Sequence, residues 1–511
     1  ISDKTMAPLQ SMGTKIEDIC QDETPIQQFY KKKTIFLTGG TGFFGKIIME
    51  KLLRATDIQQ IYILVRSKKG KDVYTRVDEI FNDPIFDIIK NEKPKFRHKI
   101  SPIIGDCSQQ YLGISPEEQI LLKQNVEIVI HAAATVRFDE KLKLAIAINA
   151  AATRDILELC KEMTNLKAFL HVSTAFANCA HKHIEEKFYR TKLSGENACR
   201  LCDCLDEKTL DDITPEIIKN HPNTYTFTKA IAEDIVKNFG KGLPIVVFRP
   251  AIVITTYKEP IEGWIDNMYG PCGITVGTAA GILRVFCGNK ENIAQLVPVD
   301  YAVNALLSSI WDVANTSYDN PPVYNFVPDP QNLIPWKEYI HIGFTSAHTI
   351  PPTKSMWYPR LTITTNKFAF NILSFLYHTL PAFLIDTGLY LTGRKPRMLQ
   401  VYRKVHKFCN VMTYFSSNKW TFSNNNVRNL WVKLSEKDKK LFAFDMRDVV
   451  WCTLFQRSFS GVRKYILKED ISTLAQAKKK HQRLKIIHFS VVYGIYALVL
   501  YLIYWTWTLL Y

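Results

Sequence analysis

Tyr225 and Lys229 form a Tyr-x-x-x-Lys pair, a spacing that places both side chains on one face of a helix. The Lys229 ammonium would favour the ionised phenol, so we expect it to lower the pKa of Tyr225 and make Tyr225 a proton donor or acceptor near neutral pH. A hydroxyl of Ser173 or Thr174, at the end of a predicted strand, would hydrogen-bond a carbonyl oxygen and share its developing charge. Together these residues predict acid–base chemistry at a carbonyl group.

The segment TGGTGFFG, residues 38–45, has the glycine spacing of a dinucleotide-binding turn. Its glycines allow a tight turn, close approach of a pyrophosphate and close packing of the helix predicted over residues 43–54. That helix would direct its N-terminal N–H groups at the phosphate. We predict a cofactor site formed by Thr38, Gly39, Gly42, Phe43, Phe44 and Gly45; the alternative is a plain tight turn before a core helix.

The end of the second predicted strand indicates which nicotinamide cofactor binds. An acidic residue there holds the ribose 2′-hydroxyl of NAD, whereas arginine accommodates the 2′-phosphate of NADP. Here Arg66 is followed by Lys68 and Lys69, with no acidic residue among them. The sequence therefore favours NADPH; a solvated basic turn is the alternative.

The elements that must position these residues are predicted from alternating apolar runs and helical patterns. After a first strand over residues 31–37, strands are predicted over residues 60–66, 100–106, 126–133, 167–174 and 243–251, and a helix over residues 138–163. Near-continuous apolar strands that alternate with helices are typical of a parallel sheet covered on both faces. The predicted fold is α/β, a Rossmann-type doubly wound parallel sheet, with the Tyr225 helix between the fifth and sixth strands.

The composition is that of a globular protein of two or three domains: 511 residues, of which 47% are hydrophobic and 22% charged. The net charge of +16 suits nucleic acid, an anionic membrane surface or an anionic small substrate. Because no basic helix interleaved with aromatic residues stands out, nucleic acid is the least supported partner. The 11 cysteines show no paired framework, which favours a reduced, cytosol-facing compartment.

Residues 486–511 carry no charge and are long enough, at ~1.5 Å per residue, to cross a ~30 Å hydrocarbon core. Aromatic residues crowd the far end of this segment, and a basic flank precedes it, formed by Lys478, Lys479, Lys480, Arg483 and Lys485. We predict a C-terminal transmembrane helix with the catalytic body in the cytosol; a buried core helix is the alternative. The pattern suits the endoplasmic reticulum and the peroxisome equally.

A second apolar stretch covers residues 368–392, and His378, Pro381 and Asp386 interrupt it. Buried polar residues of this kind argue against a full membrane span. We expect an interfacial or re-entrant helix pair; a buried helix that binds an acyl chain is the alternative.

Cysteine and histidine residues cluster between the predicted fifth strand and the Tyr225 helix. They are Cys179, His181, His183, Cys199, Cys202 and Cys204. A CxxC pair with nearby histidines suggests zinc, but the spacing is irregular and no second CxxC accompanies it. We therefore predict a cysteine-rich loop without a metal.

Several motifs together resemble the extended short-chain dehydrogenase/reductase superfamily: the glycine turn, HAAATVRF (131–138), HVSTAFAN (171–178) and YTFTK (225–229). Within it, GWIDNMYGP (263–271), VPVDYAVNALL (297–307) and WYP (357–359) are similar to the fatty acyl-CoA reductases. The order of parts in that family predicts an N-terminal extension (1–30), an NADPH-binding reductase domain with its substrate-covering region (31–345), a helical "male sterility" domain (346–480) and the transmembrane tail (486–511).

The resemblance implies the roles of single residues. Tyr225 would protonate the carbonyl oxygen, Lys229 would hold the nicotinamide ribose, and Thr174 would be the catalytic hydroxyl residue, with Ser173 as the alternative. Arg249 and Pro250 match the turn after the sixth strand. The cofactor-site residues that the resemblance adds are Asp106, Ala132, Ala133 and Pro250, beside Tyr225 and Lys229, together with Asn149, which it places in a supporting role at the active site.

The activity that the resemblance implies is the reduction of a long-chain acyl-CoA by two NADPH to a primary alcohol and CoA, by way of an aldehyde. The net positive charge of the protein suits anionic CoA. The acyl chain of the substrate partitions into membrane lipid. Two alternatives share the core motifs: a membrane-bound hydroxysteroid dehydrogenase or nucleotide-sugar epimerase, and a non-catalytic NADPH-binding membrane scaffold. The sequence leaves the acyl chain length and the oligomeric state open.

Overall fold

A computed structural model describes residues 23–67, 70 and 72–510. Lys68, Lys69 and Tyr511, which the sequence interpretation used, lie outside the described residues. The strands are β1 Thr34–Thr38, β2 Gln60–Val65, β3 Ile100–Ile104, β4 Ile128–His131, β5 Ala168–Val172, β6 His183–Ile184, β7 Ile245–Pro250, β8 Ile252–Ile254, β9 Val285–Cys287, β10 Leu296–Pro298, β11 Val323–Phe326, β12 Thr362–Thr364 and β13 Thr421–Phe422.

The central element is a seven-stranded parallel sheet in the order β11-β7-β5-β4-β1-β2-β3. All six predicted strands are present, so the prediction of a Rossmann-type parallel sheet is confirmed. The sequence analysis missed β11, a short edge strand that pairs with β7 from Val323 opposite Val247. Strand order reverses between β1 and β4, and in such folds ligands bind in the crevice at that point.

The helices are α1 Pro25–Tyr30, α2 Phe43–Ala55, α3 Val73–Phe81, α4 Asp87–Glu92, α5 Pro116–Asn125, α6 Leu142–Ile146, α7 Ala152–Lys161, α8 Gly195–Cys204, α9 Glu207–Ile217, α10 Thr224–Phe239, α11 Pro271–Ala279, α12 Val299–Asn315, α13 Trp336–Thr349, α14 Lys367–Ser374, α15 Leu380–Leu391, α16 Met398–Ser417, α17 Asn425–Lys433, α18 Glu436–Leu441, α19 Trp451–Gly461 and α20 Leu474–Leu510. The helix predicted over residues 138–163 begins only at Leu142, because residues 132–141 form a loop, and a π-helical turn joins α6 to α7.

Both faces of the sheet are covered, as the near-continuous apolar strands predict. On β1, Ile35 and Leu37 point into a core with α2 and α12, whereas Phe36 points into the opposite core with α7 and α10. All three side chains are fully buried. Alternate residues of one strand therefore hold helices on opposite faces.

The C-terminal half is built into the reductase half rather than appended to it. The predicted division at residue 345 falls inside α13, β12 pairs with β9, and β13 pairs with β6. The predicted N-terminal extension likewise ends in α1, whose Tyr30 hydroxyl donates to the Leu307 carbonyl at 2.8 Å. The two strand pairings therefore join the C-terminal half directly to the reductase half.

Two helical segments are long and apolar enough to cross a membrane, by length and composition. One covers Ile471–Leu510, which includes α20, and its apolar part is exposed. The other covers Lys367–Leu391, where α14, a π-helical turn and α15 form one continuous helix. The expectation of two separate helices is therefore wrong, because the π-helical turn directly before Pro381 lets the helix continue through this proline. The alternative of a buried core helix is also wrong, because most of this helix is exposed.

Candidate active site

A cavity of about 1320 Å³ opens at the carboxyl edge of the parallel strands. Its walls come from three parts of the chain: the glycine turn after β1, the residues around Tyr225, and an apolar surface that α16 contributes. The cavity therefore joins the predicted cofactor site to the predicted catalytic residues and extends beyond them.

The glycine turn has the geometry that a dinucleotide requires. Gly39 has φ +76°, and a Cβ built on it would lie 2.7 Å from the Ala133 nitrogen. A Cβ on Gly45 would lie 2.2 Å from the Gly39 carbonyl oxygen, so only glycine lets α2 start against this turn. Gly42 caps α2 without a side-chain hydrogen bond, which leaves the first-turn N–H groups to a phosphate. Gly39, Gly42, Phe43, Phe44 and Gly45 all line the cavity.

Thr38 and Asn149, two of the predicted cofactor contacts, lie behind the cavity wall rather than on it. The Thr38 hydroxyl accepts from the Ala133 N–H at 3.2 Å and lies 2.8 Å from His131 Nδ1. His131 Nε2 in turn lies 3.1 Å from the Thr153 hydroxyl, which donates to the Asn149 carbonyl at 2.9 Å. Burial lowers the pKa of His131 to about 3, so this ring is neutral and relays hydrogen bonds.

Asn149 connects the loop after β4 to the catalytic helix. Its Oδ1 accepts from the Thr135 N–H at 2.8 Å, and its Nδ2 donates to the Thr228 hydroxyl on α10 at 2.9 Å. Thr228 lies one residue before Lys229. Asn149 therefore supports the site by fixing this loop, whose Ala132 and Ala133 line the cavity, against α10.

The far end of the cavity is basic. Arg66 and Asp106 both line it, with Arg66 Nε 3.7 Å from Asp106 Oδ2 and the Arg66 side chain 67% exposed. Sequence reasoning missed Arg76, on α3, which lines the same end. Its Nη1 is buried with no hydrogen-bond partner in the described part of the chain. An unpaired buried guanidinium nitrogen is costly, so this end suits an anionic group.

The residues that the sequence predicts to be catalytic lie together at the cavity wall. The Asn223 side chain caps α10 at the Thr226 N–H, and this helix carries Tyr225 and Lys229 to the cavity wall. Thr174 follows β5, and its hydroxyl side chain lines the cavity beside the Tyr225 phenol. The Lys229 ammonium donates to the Val172 carbonyl at 2.8 Å.

The pKa of Tyr225 differs from the sequence expectation. Burial raises it to about 12, and only the Thr174 side chain works in the opposite direction. The expectation that Lys229 lowers it is wrong for this structure, because the ammonium is directed at the Val172 carbonyl. Burial also lowers the pKa of Lys229 to about 8. Tyr225 is therefore a protonated phenol at neutral pH, which is the state of a proton donor.

Ser173 differs from Thr174 in what its hydroxyl contacts. It donates to Glu233 Oε1 at 2.5 Å, and Glu233 is paired through two 2.7 Å hydrogen bonds with Arg249. Both charged residues are buried. Arg249 and Pro250 end strand β7 rather than follow it, and Pro250 lines the cavity. The arrangement leaves Thr174, not Ser173, as the hydroxyl beside Tyr225.

The remaining arm of the cavity is apolar, and its wall comes largely from α16. The Phe138 ring lies 5.7 Å from the Tyr225 ring and 5.7 Å from that of Phe415 on α16. The other apolar residues of this arm include Ile274, Phe286, Leu361, Ile363, Phe408, Val411 and Met412. Sequence reasoning did not find this wall.

Cationic side chains of the cavity lining lie beside this arm. Arg137, Lys290, Lys404 and Lys407 are among the lining residues, and Lys407 pairs with Asp139 at 2.5 Å. An apolar arm bordered by cations fits a ligand with an apolar chain and an anionic head.

The motif GWIDNMYGP covers the glycine turn. The Trp264 ring stacks on that of Phe43 at 5.3 Å, and Asp266 pairs with Lys46 of α2 at 3.0 Å. Asp266 and Asn267 line the cavity. The motif therefore holds the first turn of α2 in place.

The cysteines and histidines of the insert occupy separate environments. Cys199 and Cys202 face a hydrophobic core from α8, Cys179 is buried in another cluster, and Cys204 is exposed. His183 lies 2.8 Å from the Thr421 hydroxyl, and the His181 ring packs on that of Tyr189.

The fold and the site define a nicotinamide-dependent oxidoreductase of the short-chain dehydrogenase type. Family models described as male sterility protein match residues 37–306 and 377–469. The chain is 54% identical to fatty acyl-CoA reductase wat of Drosophila melanogaster over 96% of both chains. It is 37% identical to fatty acyl-CoA reductase 1 of Mus musculus, over 91% of this chain and 90% of the mouse protein. The chain belongs to the fatty acyl-CoA reductase family.

Solved structures support the fold. The reductase domain of a non-ribosomal peptide synthetase from Mycobacterium tuberculosis matches with a TM-score of 0.57 at 17% identity, over 87% of this chain and 93% of that one. The terminal reductase domain of the myxalamid pathway matches with a TM-score of 0.54 at 18% identity, over 84% and 90%.

Proposed function

We propose that this protein is an alcohol-forming fatty acyl-CoA reductase that uses NADPH. The observation that carries the proposal is the single cavity that joins a dinucleotide turn, a Thr-Tyr-Lys group and an apolar arm with cationic borders. Residues 31–345 would bind the cofactor and carry the catalytic groups. Residues 346–480 would supply the α16 wall for the acyl chain.

The residues of the turn fit a nicotinamide dinucleotide, because side chains at Gly39 and Gly45 would fill the cradle. Arg66 and the unpaired Nη1 of Arg76 would hold the 2′-phosphate that distinguishes NADPH from NADH. Asp106, Ala132 and Ala133 would border the adenine, as the family resemblance implies. When bound, NADPH supplies the hydride for each reduction.

The protein's own residues would act on the carbonyl oxygen. Tyr225, protonated at neutral pH, would donate its proton to that oxygen as negative charge develops on it. Thr174 would hydrogen-bond the same oxygen and share the charge. Lys229 would hold the ribose hydroxyls as a hydrogen-bond donor.

The same groups would serve both reductions. The first produces a hemithioacetal; its hydroxyl proton would return to the Tyr225 phenolate as the C–S bond breaks, which releases CoA as a thiolate and leaves an aldehyde. The second reduces the aldehyde to a primary alcohol. The apolar arm would retain the chain between the two steps, and the cations beside it would hold the anionic CoA.

The apolar part of α20 would anchor the protein in a membrane, with the body on the cytosolic side next to its basic flank. Acyl chains partition into bilayers, so this anchor would place the cavity beside its substrate. The endoplasmic reticulum and the peroxisome both satisfy these requirements.

A substrate panel tests the proposal. Full-length protein in detergent would be incubated with NADPH and acyl-CoAs of graded length, steroids and nucleotide sugars, and the products identified by mass spectrometry. We expect primary alcohols from long-chain acyl-CoA. Turnover with a steroid or a nucleotide sugar and none with acyl-CoA would contradict the proposal, and no turnover at all would favour a non-catalytic scaffold.

A further inference from the structure

The continuous helix Lys367–Leu391 has two contrasting faces. We call its exposed apolar face the outer face; Phe368, Phe375, Phe383, Leu384, Tyr390 and Leu391 on it are between 55% and 78% exposed. Large contiguous apolar patches are rare on monomeric soluble proteins and mark interaction sites.

The opposite stripe of this helix is packed on the protein body. Ser374, His378, Ala382 and Asp386 recur every four residues and are buried. His378 Nε2 accepts from the Arg284 N–H at 3.0 Å. Asp386 accepts from the first N–H groups of α16 and the residue before it, among them those of Met398 and Leu399, at 2.9 Å.

This packing decides how the helix can meet a membrane. A crossing would separate the buried stripe from the body and leave His378 and Asp386 without partners in hydrocarbon, which is costly. The helix therefore stays on the body along its length. Only the outer face is free to enter an apolar phase, with the helix axis in the plane of the surface.

A series of contacts connects the helix Lys367–Leu391 to α20, near the start of the apolar part of α20. The Trp357 indole, from the WYP motif, donates to His488 Nδ1 on α20 at 3.0 Å. The Arg284 guanidinium lies 5.1 Å from the Trp357 ring centroid, and its backbone N–H reaches His378. The helix is thus linked, through His378 on its buried stripe, Arg284 and Trp357, to the point where the apolar part of α20 begins.

The charges around the helix suit an anionic lipid surface. Lys367 starts the helix, and Arg394, Lys395 and Arg397 follow its end. Cations that flank an apolar helix face favour binding at the headgroup level of anionic bilayers.

We propose that the outer face is a second membrane contact, embedded in the cytosolic leaflet of the bilayer that α20 crosses. The inference rests on the proposed anchoring by α20. The buried stripe packs on α16, and α16 forms the wall of the apolar arm. Two helices, α16 and the helix Lys367–Leu391, would therefore lie between the acyl site and lipid.

Photocrosslinking of the full-length protein tests this contact. Benzoylphenylalanine would replace Phe375, Phe383, Leu498 of α20 or Ile120 of α5, one at a time. Each variant would be reconstituted in phosphatidylcholine–phosphatidylserine vesicles that contain radiolabelled phosphatidylcholine. Ile120 is 53% exposed on a helix of the opposite core and serves as the matched control. We expect labelled lipid adducts at 375, 383 and 498, several-fold above those at 120.

Other crosslinking results would overturn the second membrane contact or the anchor. Adducts at 498 with none at 375 and 383 would overturn the second contact and leave the anchor intact. No adduct at any position would contradict the anchor itself. Protein–protein adducts from 375 or 383 would overturn the proposal by showing that a second copy covers the face. Because the readout is a covalent adduct, it does not depend on catalytic activity.

Discussion

Replacing Gly45 by alanine tests two opposing effects on stability. Alanine favours the helix α2, whereas its methyl group clashes with the backbone of the glycine turn. Gly45 lies in the first turn of α2, where helix propensity alone predicts that alanine stabilises the protein, by up to about 1 kcal/mol. The structure predicts the opposite sign. The added Cβ would lie 2.2 Å from the Gly39 oxygen and 2.6 Å from the Gly40 Cα, both backbone atoms that cannot rotate away.

The clash must displace the turn, and overpacking of this kind costs about 1–3 kcal/mol. If the free protein relaxes around the methyl group, the cost falls on cofactor binding, where about 1.4 kcal/mol is a tenfold change in Kd. We therefore expect NADPH to bind about 5- to 150-fold more weakly to Gly45→Ala. If the turn does not relax, the melting temperature falls instead.

The assay is a titration of the full-length protein with NADPH, followed by cofactor fluorescence, with a thermal melt of each variant. Gly388→Ala is the control, because a Cβ at that helical position has nothing within 4 Å. Unchanged NADPH affinity together with an unchanged or higher melting temperature in Gly45→Ala would refute the reasoning.

Four further predictions follow from the site. Tyr225→Phe should abolish alcohol formation and leave NADPH affinity near that of the native protein; retained turnover would remove Tyr225 as the acid. Because the pKa of Lys229 is lowered to about 8 and its cationic form is required, kcat/KM should fall as pH rises through about 8, and a flat profile to pH 9 would contradict this. Arg76→Ala should raise KM for NADPH at least tenfold, or about 1.4 kcal/mol, with little change for NADH, whereas Arg200→Ala, an exposed control, should change neither. Val411→Phe should narrow the apolar arm and shift the preference in an acyl-CoA length series to shorter chains, whereas Val432→Phe, 75% exposed on α17, should leave it unchanged.

Features that depend on local pattern were predictable from the sequence. The glycine turn and the six strands follow from side-chain periodicity and spacing. The position of Thr174 follows from where a parallel strand ends, and those of Tyr225 and Lys229 follow from their spacing on the helix between the fifth and sixth strands. The short edge strand β11 lacks such a pattern and forms because β7 offers an unpaired edge.

Features that depend on contacts between distant segments were not predictable. Arg76 and the α16 wall reach the cavity only through the tertiary fold. The raised pKa of Tyr225 depends on burial and on where the Lys229 ammonium points, and neither is encoded in the spacing of the two residues. Thr38 and Asn149 match the expected positions, but their side chains support the cavity wall from behind.

The ratio of NADPH oxidised to CoA released tests most directly whether the protein reduces acyl-CoA to a primary alcohol. Absorbance of NADPH and thiol titration of CoA would be followed together in one reaction of the full-length protein with a long-chain acyl-CoA. We expect two NADPH to be consumed for each CoA released, with primary alcohol as the product. One NADPH for each CoA, with aldehyde accumulating, would contradict it.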